Sequence, residues 1–348
     1  MATLTATALT LADWAKRLDD EYKIATIVEL LSQTNEILED MLFVEGNLPT
    51  GHKTTVRTGL PSVTWRLLNY GVQKSKSTTA QIIDTVGNLE GYAEIDKDLA
   101  DLNGNTAAFR LSETQGFYES MSQAVAQTVF YGNTAVNPER FMGFAPRYNT
   151  VSTATAQTAA NVIDAGGTGS TNTSIWFVVW GERTCHGIFP KGKIAGLQHK
   201  DLGEWTLTDP AGGLYQGYRD HFKWELGLTV RDWRYAVRIA NIDVNLLVTG
   251  SGSAANLLNL MVKAVNRLPT TGGASAVTKS DGNGIAGAMG KCVIYVNRVI
   301  RTYLELQSMN KSNTLLKLEE VDGKPFMSWR GIPIKTVDAL LNTEARLV

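Results

Sequence analysis

The sequence predicts an α+β fold, with helices and strands in separate stretches that do not alternate regularly. A long helical pattern begins at Asn105 or Thr106 and stops at Gly132 and Asn133. Several short runs rich in β-branched and aromatic residues, such as 175–180, are typical of strands. With 348 residues the chain can bury about three quarters of its unfolded surface, so these elements can share a large core.

Composition argues against several classes of protein. The two cysteines, Cys185 and Cys292, are far apart and lack a Cys-x-x-Cys spacing, so neither a disulfide framework nor a zinc finger is indicated. No stretch approaches the ~20 apolar residues that span a bilayer, and residues 1–10 lack the basic start of a signal peptide. We therefore expect a cytoplasmic protein with no membrane partner. A formal net charge of −1 argues against a dedicated nucleic-acid binder, so any contact with DNA should be weak and non-specific.

Charged residues are unevenly distributed along the chain. Residues 1–50 hold nine acidic and three basic residues, residues 51–80 hold five basic residues and no acid, and residues 81–104 hold six acids and one lysine. Chance clustering on a solvated surface would explain this pattern without any function. The alternative is that oppositely charged segments bind neighbouring molecules, because complementary charge orients protein association.

The first two segments differ in character. Residues 11–43 have apolar residues at helical spacing after Thr10 as the N-cap, and they predict one amphipathic helix. Residues 54–95 contain strand-like runs interrupted by Gly59-Leu60-Pro61 and by Gly71. They predict a long, basic β-hairpin that reaches away from the body of the protein.

The helix after residue 105 is the clearest single element. At 1.5 Å per residue it would be about 38 Å long. Gly116 lies inside it and should weaken it by about 1 kcal/mol relative to alanine. The residues predicted to form its buried face are Leu111, Tyr118, Met121, Val125 and Val129.

The rest of the chain combines polar loops with short elements. The Ala-, Thr- and Gly-rich run 154–174 predicts a surface excursion, and 271–290 predicts a glycine-rich loop. The other predicted elements are a strand at 175–180, a hairpin of 224–230 with 233–241, a helix from Ser253 to Pro269, a strand at 292–296, a helix capped by Asn297 that ends at Met309, and a hairpin of 315–321 with 325–329.

Motifs for catalysis or cofactor binding are weak. Gly282, Gly284 and Gly287 form a G-x-G-x-x-G pattern, but it lacks the preceding strand and following helix of a dinucleotide site. The four histidines have no metal-binding spacing. We therefore assign no catalytic, cofactor-binding or metal-binding residues.

Cys185 and the tryptophans leave alternatives open. Cys185 could act as a nucleophile with His199 or His221 as its base, although a buried, inert cysteine is the more common case. The eight tryptophans could form a stacking platform for carbohydrate or bases. Packing in the core or at a subunit interface is the more common role of such large side chains.

Several short stretches are more specific than the order of elements. They are Thr64-Trp65-Arg66, Ser77-Thr78-Thr79, Tyr131-Gly132-Asn133, Pro138-Glu139-Arg140-Phe141-Met142-Gly143, Asp232-Trp233-Arg234-Tyr235, Arg238-Ile239-Ala240-Asn241-Ile242-Asp243, Gly331-Ile332-Pro333-Ile334 and Asp338-Ala339. With the element order, they resemble the major capsid proteins of tailed bacteriophages, which have the Hong Kong 97-like fold. The resemblance spans nearly the whole chain, and none of its motifs is catalytic.

The resemblance implies a division of the chain and a function. Residues 1–50 would form the N-terminal arm, 51–89 the extended β-hairpin loop, 90–150 with 300–348 the peripheral domain that contains the long spine helix, and 151–299 the axial domain. The protein would not be an enzyme. It would be the major capsid subunit, which self-assembles into an icosahedral head around double-stranded DNA.

The resemblance also implies partners. The chain would bind copies of itself in hexamers and pentamers. Its other partners would be scaffold and portal proteins and, in shells that carry one, a decoration protein. The virion would be assembled in the cytoplasm of a host bacterium. A subunit with long arms cannot bury them alone, so we expect oppositely charged side chains to pair between adjacent subunits. The residues predicted to make these contacts are the cations Arg57, Arg66, Lys74 and Lys76 and the acids Asp19, Asp20, Glu36 and Asp98.

Other functions stay open from the sequence. An encapsulin-like nanocompartment shell would share the fold but enclose cargo enzymes. A soluble hydrolase would depend on Cys185 or on a histidine. A tail or decoration protein would more often be all-β, and the long helical patterns argue against it.

Overall fold

The structure of the protein is a computed structural model. It describes residues 9, 13, 32–250, 252–269, 290–309, 316–321 and 324–348. Within these ranges only the backbone is described at 103, 308, 309, 316–321 and 324–326.

Six α-helices and thirteen strands form within the described residues. The helices are α1 (Ile37–Asp40), α2 (Lys97–Ala100), α3 (Thr106–Tyr131), α4 (Val244–Val248), α5 (Leu257–Arg267) and α6 (Arg298–Met309). The strands are β1 (Phe43–Glu45), β2 (Gly51–Gly59), β3 (Thr78–Asp96), β4 (Val162–Asp164), β5 (Asn172–Trp180), β6 (Cys185–Phe189), β7 (Leu197–Thr208), β8 (Leu214–Val230), β9 (Ala236–Asp243), β10 (Lys291–Val296), β11 (Leu316–Val321), β12 (Lys324–Trp329) and β13 (Ile332–Thr336).

The chain divides into two compact units, each built from segments that are distant in sequence. The second unit contains most of the strands. The first unit consists of residues 1–34, 88–126 and 196–225, and the second consists of residues 35–87, 127–195 and 226–348.

The first unit packs the N-terminal part of α3 on β7 and β8. These two strands run antiparallel, with residues 197–208 opposite 214–224. Phe222 of β8 is fully buried and stacks on Phe117 of α3, with 5.1 Å between the ring centroids. Met121, one turn further along the helix, joins the same apolar cluster. Aromatic stacking and the burial of apolar area therefore hold this part of the helix on the strands.

The second unit is built around β5. All nine residues of β5 are buried, and the strand pairs antiparallel with both β10 and β9. β13 continues the sheet beyond β10, and β4 continues it beyond β9, each in parallel. A strand that is buried along its whole length requires cover on both faces. Helices α5 and α6 supply part of that cover, since Met261 and Leu304 share a core cluster with Phe177 and Ile294.

The predicted fold class and several predicted elements are confirmed. Helix α3 has 26 residues and spans about 39 Å at 1.5 Å per residue. Strands β5 and β10 and the antiparallel pair of β11 and β12 form where expected. Asn297 caps α6, because its Oδ1 atom accepts a hydrogen bond from the backbone N of Val299 at 3.0 Å.

The predicted hairpin of 224–230 with 233–241 is wrong. β8 pairs with β6 up to Val230, whereas β9 pairs with β4 and β5. All eight residues of β9 are buried. A strand that is buried along its whole length belongs in the interior of a sheet, and its alternating sequence pattern did not reveal this.

Two predictions about exposure are also corrected. Residues 154–174 are not wholly a surface excursion, since Val162 and Ile163 of β4 are buried. Leu111 and Tyr118 were both assigned to the buried face of α3. Leu111 is 58% exposed, and Tyr118 is 38% exposed. The C-terminal members of that face, including Met121, are buried as predicted.

Helix boundaries differ from prediction near the N-terminus and at α5. Between residues 32 and 43 the only helix is α1, and β1 follows it, so the predicted helix of 11–43 does not continue unbroken to residue 43. Apart from residue 13, which is helical, the earlier part of that prediction lies outside the described residues. The predicted loop of 271–290 does too, apart from Gly290. Helix α5 is capped by Asn256, and not by Ser253.

Candidate functional site

The predicted long hairpin is present. β2 pairs antiparallel with the first part of β3, from Gly51 opposite Thr85 to Gly59 opposite Thr78. Residues 60–77, called the hairpin tip below, form no strand, although the sequence predicted strand-like runs throughout 54–95, among them one at 63–67. The paired strands therefore support a tip of eighteen residues.

The hairpin tip is exposed along its whole length, and many of its side chains are large and apolar. Trp65 is as accessible to solvent as in an extended chain. Exposed apolar surface of this extent marks an interaction site in soluble proteins. The large apolar side chains of the tip that are at least half exposed are Leu60, Val63, Trp65, Leu67, Leu68, Tyr70 and Val72.

The four cations predicted to make intersubunit contacts lie on this hairpin. Arg57 is in β2, and Arg66, Lys74 and Lys76 are in the hairpin tip. All four residues are exposed, and none forms an ion pair with a described residue. Their charges are therefore available to another molecule.

The two predicted acidic partners that the structure describes, Glu36 and Asp98, form no ion pair with these cations. Glu36 is engaged in its own chain, with its Oε2 atom 3.9 Å from Lys335 Nζ and its Oε1 atom accepting from Thr336 N at 3.3 Å. Asp98 is exposed in the first turn of α2. Asp19 and Asp20 lie outside the described residues. Pairing between copies of the chain stays a prediction.

The root of the hairpin is the end at which residues 51–54 of β2 pair with residues 82–85 of β3. It is held by a buried ion pair that the sequence did not reveal. Arg147 Nη2 donates to Asp84 Oδ1 of β3 at 2.8 Å and to the backbone oxygen of Leu228 at 3.1 Å. Asp84 is only 5% exposed. A buried carboxylate requires such a partner, because desolvation strongly penalises an unpaired charge. Arg147 therefore fixes where β3 leaves the body, and a separation of 63 residues gives no local sequence signal.

A second cation meets the root on β2. His52 lies opposite Asp84 in the hairpin register and is 5% exposed. Arg231 Nη2 donates to His52 Nε2 at 2.7 Å, so the proton of the neutral ring is on Nδ1. Burial, followed by the charge of Arg231, lowers the pKa of His52, and Asp84 partly opposes this shift. The ring is therefore neutral at pH 7.

Cys185 is unsuited to the nucleophilic role considered for it. The residue is fully buried, and burial raises the pKa of its thiol to about 12. A thiol that stays protonated is a poor nucleophile. The two candidate bases have other partners: His199 Nε2 lies 2.9 Å from Asp220 Oδ1, and His221 stacks on Tyr92 with 4.5 Å between ring centroids.

The described residues contain neither a candidate metal cluster nor a candidate membrane-spanning helix. No group of three or more His, Cys, Asp or Glu side chains is placed to hold a metal ion in this part of the chain. No helix there is both long enough and apolar enough to cross a membrane.

The tryptophans divide between core and surface. Trp176, Trp180 and Trp329 are at most 3% exposed, as expected for core packing. Trp205 is 48% exposed, and Trp65 is the most exposed of the large apolar side chains of the hairpin tip. The surface tryptophans are therefore available for contacts with other molecules.

The extended hairpin, the long helix α3 and the mixed core of helices and strands define a capsid subunit with the Hong Kong 97-like fold. Residues 19–348 match the family described as Major capsid protein GP7. The chain therefore belongs to the Major capsid protein GP7 family and is a structural protein of a tailed-phage virion.

One solved structure supports this assignment. A chain from the cryo-EM structure of bacteriophage Epsilon15 is 42% identical, with a TM-score of 0.72, and the match covers 100% of this chain and 99% of that chain. The capsid of bacteriophage JBD30 is 8% identical, with a TM-score of 0.48 and coverage of 89% and 92%. The SrpI encapsulin complex of Synechococcus elongatus is 9% identical, with a TM-score of 0.41 and coverage of 67% and 96%. The last two likenesses are too weak to add to the argument. No curated protein sequence matches the chain.

Proposed function

We propose that the protein is the repeating subunit that self-assembles into the closed icosahedral head of a tailed phage and encloses double-stranded DNA. The hairpin tip carries this proposal. It exposes seven large apolar side chains, and its cations form no ion pair with described residues of the same chain. A second copy of the chain, present in high local concentration in a shell, would bury this surface.

The size of the tip is suited to that role. Burial of one large apolar side chain contributes about 1.5–3 kcal/mol. Association costs about 4–15 kcal/mol in lost translational and rotational freedom, and two or three buried side chains, at about 3–9 kcal/mol, would offset only the lower part of that range. Burial of all seven, at about 10–21 kcal/mol, would offset most of it, so we expect the neighbouring copy to cover most of the tip.

We further propose that charge guides this contact. Arg57, Arg66, Lys74 and Lys76 would meet the acids Asp19, Asp20, Glu36 and Asp98 of adjacent copies. Glu36 would then have to exchange Lys335 for an intersubunit cation, a small cost because the present distance is 3.9 Å and Glu36 is partly exposed.

The division of the chain and its partners belong to the same proposal. Residues 1–50 would be the N-terminal arm, 51–89 the extended loop, 90–150 with 300–348 the peripheral domain, and 151–299 the axial domain. The copies would form hexamers and pentamers and would meet scaffold and portal proteins, and a decoration protein in shells that carry one. Assembly would take place in the host cytoplasm, the subunit would have no catalytic activity, and contact with DNA would be weak.

A pair of surface variants tests the role of the tip. In the double variant Trp65→Ser, Leu68→Ser the subunit should fold as before, because both side chains are exposed, but shells should be lost. The matched control is Trp205→Ser, which removes an exposed tryptophan outside the hairpin. Sedimentation velocity separates shells from subunits, and circular dichroism checks the fold. Shell formation by the tip variant at the level of the control would contradict the proposal.

A further inference from the structure

A cavity of about 710 Å³ lies at the hairpin root, within the second unit. Val56 and Ile82 of the hairpin line it, together with Arg147, Arg231 and Trp233. Cavities of about 300–1,000 Å³ are typical of small-molecule sites. This cavity is therefore large enough for a bound ligand.

The cavity has an excess of positive charge. Four arginines line it, and the only acid in its lining is Asp232. Arg147 is neutralised by Asp84 at 2.8 Å, and Arg234 by Asp232 at 2.7 Å. The other two lining cations, Arg57 and Arg231, form no ion pair with a described residue. Two guanidinium groups thus face the cavity without a counterion from the described part of the chain.

Arg231 is the better placed of these two cations. Its one hydrogen bond to a described side chain is donated to His52 Nε2 at 2.7 Å, and that ring is neutral. Its Nε atom is buried and has no hydrogen-bond partner among the described residues. Buried donors are nearly always satisfied in folded proteins. An acceptor is therefore missing at Arg231.

The polar groups behind Arg231 also lack hydrogen-bond partners among the described residues. The Nδ1 atom of His52, which carries the ring proton, is buried and has no partner among the described residues. The hydroxyl of Thr54, two residues further along β2, is likewise buried and has no partner among the described residues. His52, Thr54 and Val56 lie on one face of β2, because side chains alternate along a strand, and Val56 lines the cavity. His52 and Thr54 do not themselves line the cavity, and the buried Oδ2 atom of Asp84, opposite His52, is an acceptor that likewise has no partner among the described residues.

We propose that this cavity binds a phosphate group, held by Arg231 with Arg57 as its second cation. The planar fork of a guanidinium presents paired N–H donors that match an oxyanion. The phosphate would supply the missing counterion for both arginines. The remaining volume, next to Trp233, admits an organic substituent on the phosphate.

Binding would tie the hairpin to the body of the unit. Arg57 belongs to β2, whereas Arg231 follows the end of β8. A phosphate held by both residues links these two elements and should stiffen the hairpin before it meets another copy. The site belongs to the single subunit, so its failure would leave the proposed shell function intact.

Equilibrium dialysis of the full-length, unassembled subunit against inorganic phosphate tests the proposal, with ionic strength kept constant by sodium chloride. We expect saturable uptake of one phosphate per subunit. Arg231→Gln should weaken phosphate binding at least tenfold. The affinity of Arg231→Lys should lie between those of the unmodified subunit and Arg231→Gln, because lysine keeps the charge but lacks the planar, paired donors of a guanidinium. Arg140→Gln is the matched control, since Arg140 is exposed and outside the cavity.

Arg57→Gln guards against a folding artefact at Arg231. Arg57 is exposed, so its replacement should leave the fold unchanged and weaken phosphate binding severalfold. Phenyl phosphate distinguishes the sources of the group: tighter binding than phosphate assigns a phosphate ester, and equal binding assigns the free ion. Absence of saturable uptake by the unmodified subunit, or equal uptake by the Arg57→Gln, Arg231→Gln double variant, would overturn the proposal.

Discussion

Arg238 and Glu344 are both buried, and each is surrounded by hydrogen-bonding partners. Arg238 Nη2 donates to Glu344 Oε2 at 2.8 Å, and its Nη1 atom donates to the backbone oxygen of Tyr148 at 2.9 Å. The hydroxyl of Tyr131 donates to the other carboxylate oxygen of Glu344 at 2.5 Å. A buried pair of this kind tolerates desolvation only while both partners are present.

Removal of one partner should therefore be costly. We expect Arg238→Met to lower the free energy of unfolding by about 3–5 kcal/mol, because Glu344 would be left buried and unpaired. The control is Arg234→Met, which breaks the pair with Asp232 at a site where the arginine side chain is 59% exposed. That loss should stay below about 1 kcal/mol. Urea unfolding of the unassembled subunit measures both, and equal losses would contradict this account.

The pH dependence of stability should report on His186. The residue is fully buried, and burial, followed by the charges of Arg231 and His52, lowers its pKa to about 4. An unfolded histidine titrates near 6.5. Between these values the unfolded chain binds more protons, so the stabilising contribution is complete above pH 6.5 and falls by about 3 kcal/mol as the pH drops to 4.

Substitution isolates that contribution. In His186→Gln the dependence of the unfolding free energy on pH should become shallower between pH 6.5 and 4. Thr229→Val is the control, because Thr229 lies opposite His186 in the strand register and does not titrate. Urea titrations at several pH values give the slope, and an unchanged slope in His186→Gln would show that its pKa is not depressed.

Some of the charged residues around the hairpin could be singled out from local sequence, and others could not. The hairpin cations could be found because they follow one another along a single segment without acids. The convergence of His52, Asp84, Arg147 and Arg231 could not, because they come from four separate stretches of chain that only the folded sheet brings together. The engagement of Glu36 by Lys335 is missed for the same reason.

At the scale of elements, the bounds of helix α3 were predicted well, but its buried face was predicted only in part. Its start and stop residues act locally and are readable from the sequence. Its apolar stripe was extended to Leu111, which is 58% exposed. Burial along a helix depends on what packs against each turn, and periodicity alone does not contain that information.

Two glycines at α3 offer opposite expectations. Gly116 lies within the helix, and a Cβ there would meet nothing within 4 Å, so Gly116→Ala should stabilise the subunit by about 1 kcal/mol. At Gly132, just after the helix, a Cβ would lie 2.3 Å from the backbone oxygen of Phe141, so Gly132→Ala should destabilise it. Thermal unfolding of the two variants gives the signs. A loss of stability in Gly116→Ala would contradict the open environment of that position.

The hairpin is the element whose charge matters most to assembly. Reversal of Arg57, Arg66, Lys74 and Lys76 to glutamate should suppress shell formation, because it replaces attraction to acidic segments by repulsion. In the unmodified protein, assembly should weaken as salt rises, since the Debye length falls from about 10 Å at 0.1 M to about 3 Å at 1 M. Light scattering over a salt series measures both effects. Assembly that ignores both charge reversal and salt would rule out the proposed charge pairing.

The failed hairpin of β8 and β9 shows the limit of element-level prediction. The two runs are adjacent in sequence and carry strand patterns, which favours pairing with each other. Burial of all eight residues of β9 is satisfied instead between β4 and β5. The polar residues of β9, Arg238, Asn241 and Asp243, are buried as well, and each has a hydrogen-bond partner, so tertiary contacts outweigh proximity along the chain.

At the scale of the whole molecule, the sequence was sufficient for the family and the fold class. Element order and short stretches spread over the chain predicted a tailed-phage capsid subunit, and residues 19–348 match the Major capsid protein GP7 family. The two compact units were beyond reach, because each is assembled from three separate segments. The predicted intersubunit contacts stay a prediction, since they depend on a second copy of the chain.

The central claim is that the hairpin tip completes its buried surface only against another copy of the chain. A cryo-EM reconstruction of the purified protein tests it most directly. The account predicts closed, regular shells in which residues 60–77 lie against a neighbouring subunit and Trp65 is buried at that contact. A solitary folded subunit, or a shell in which the tip packs on its own subunit or projects into solvent, would contradict it.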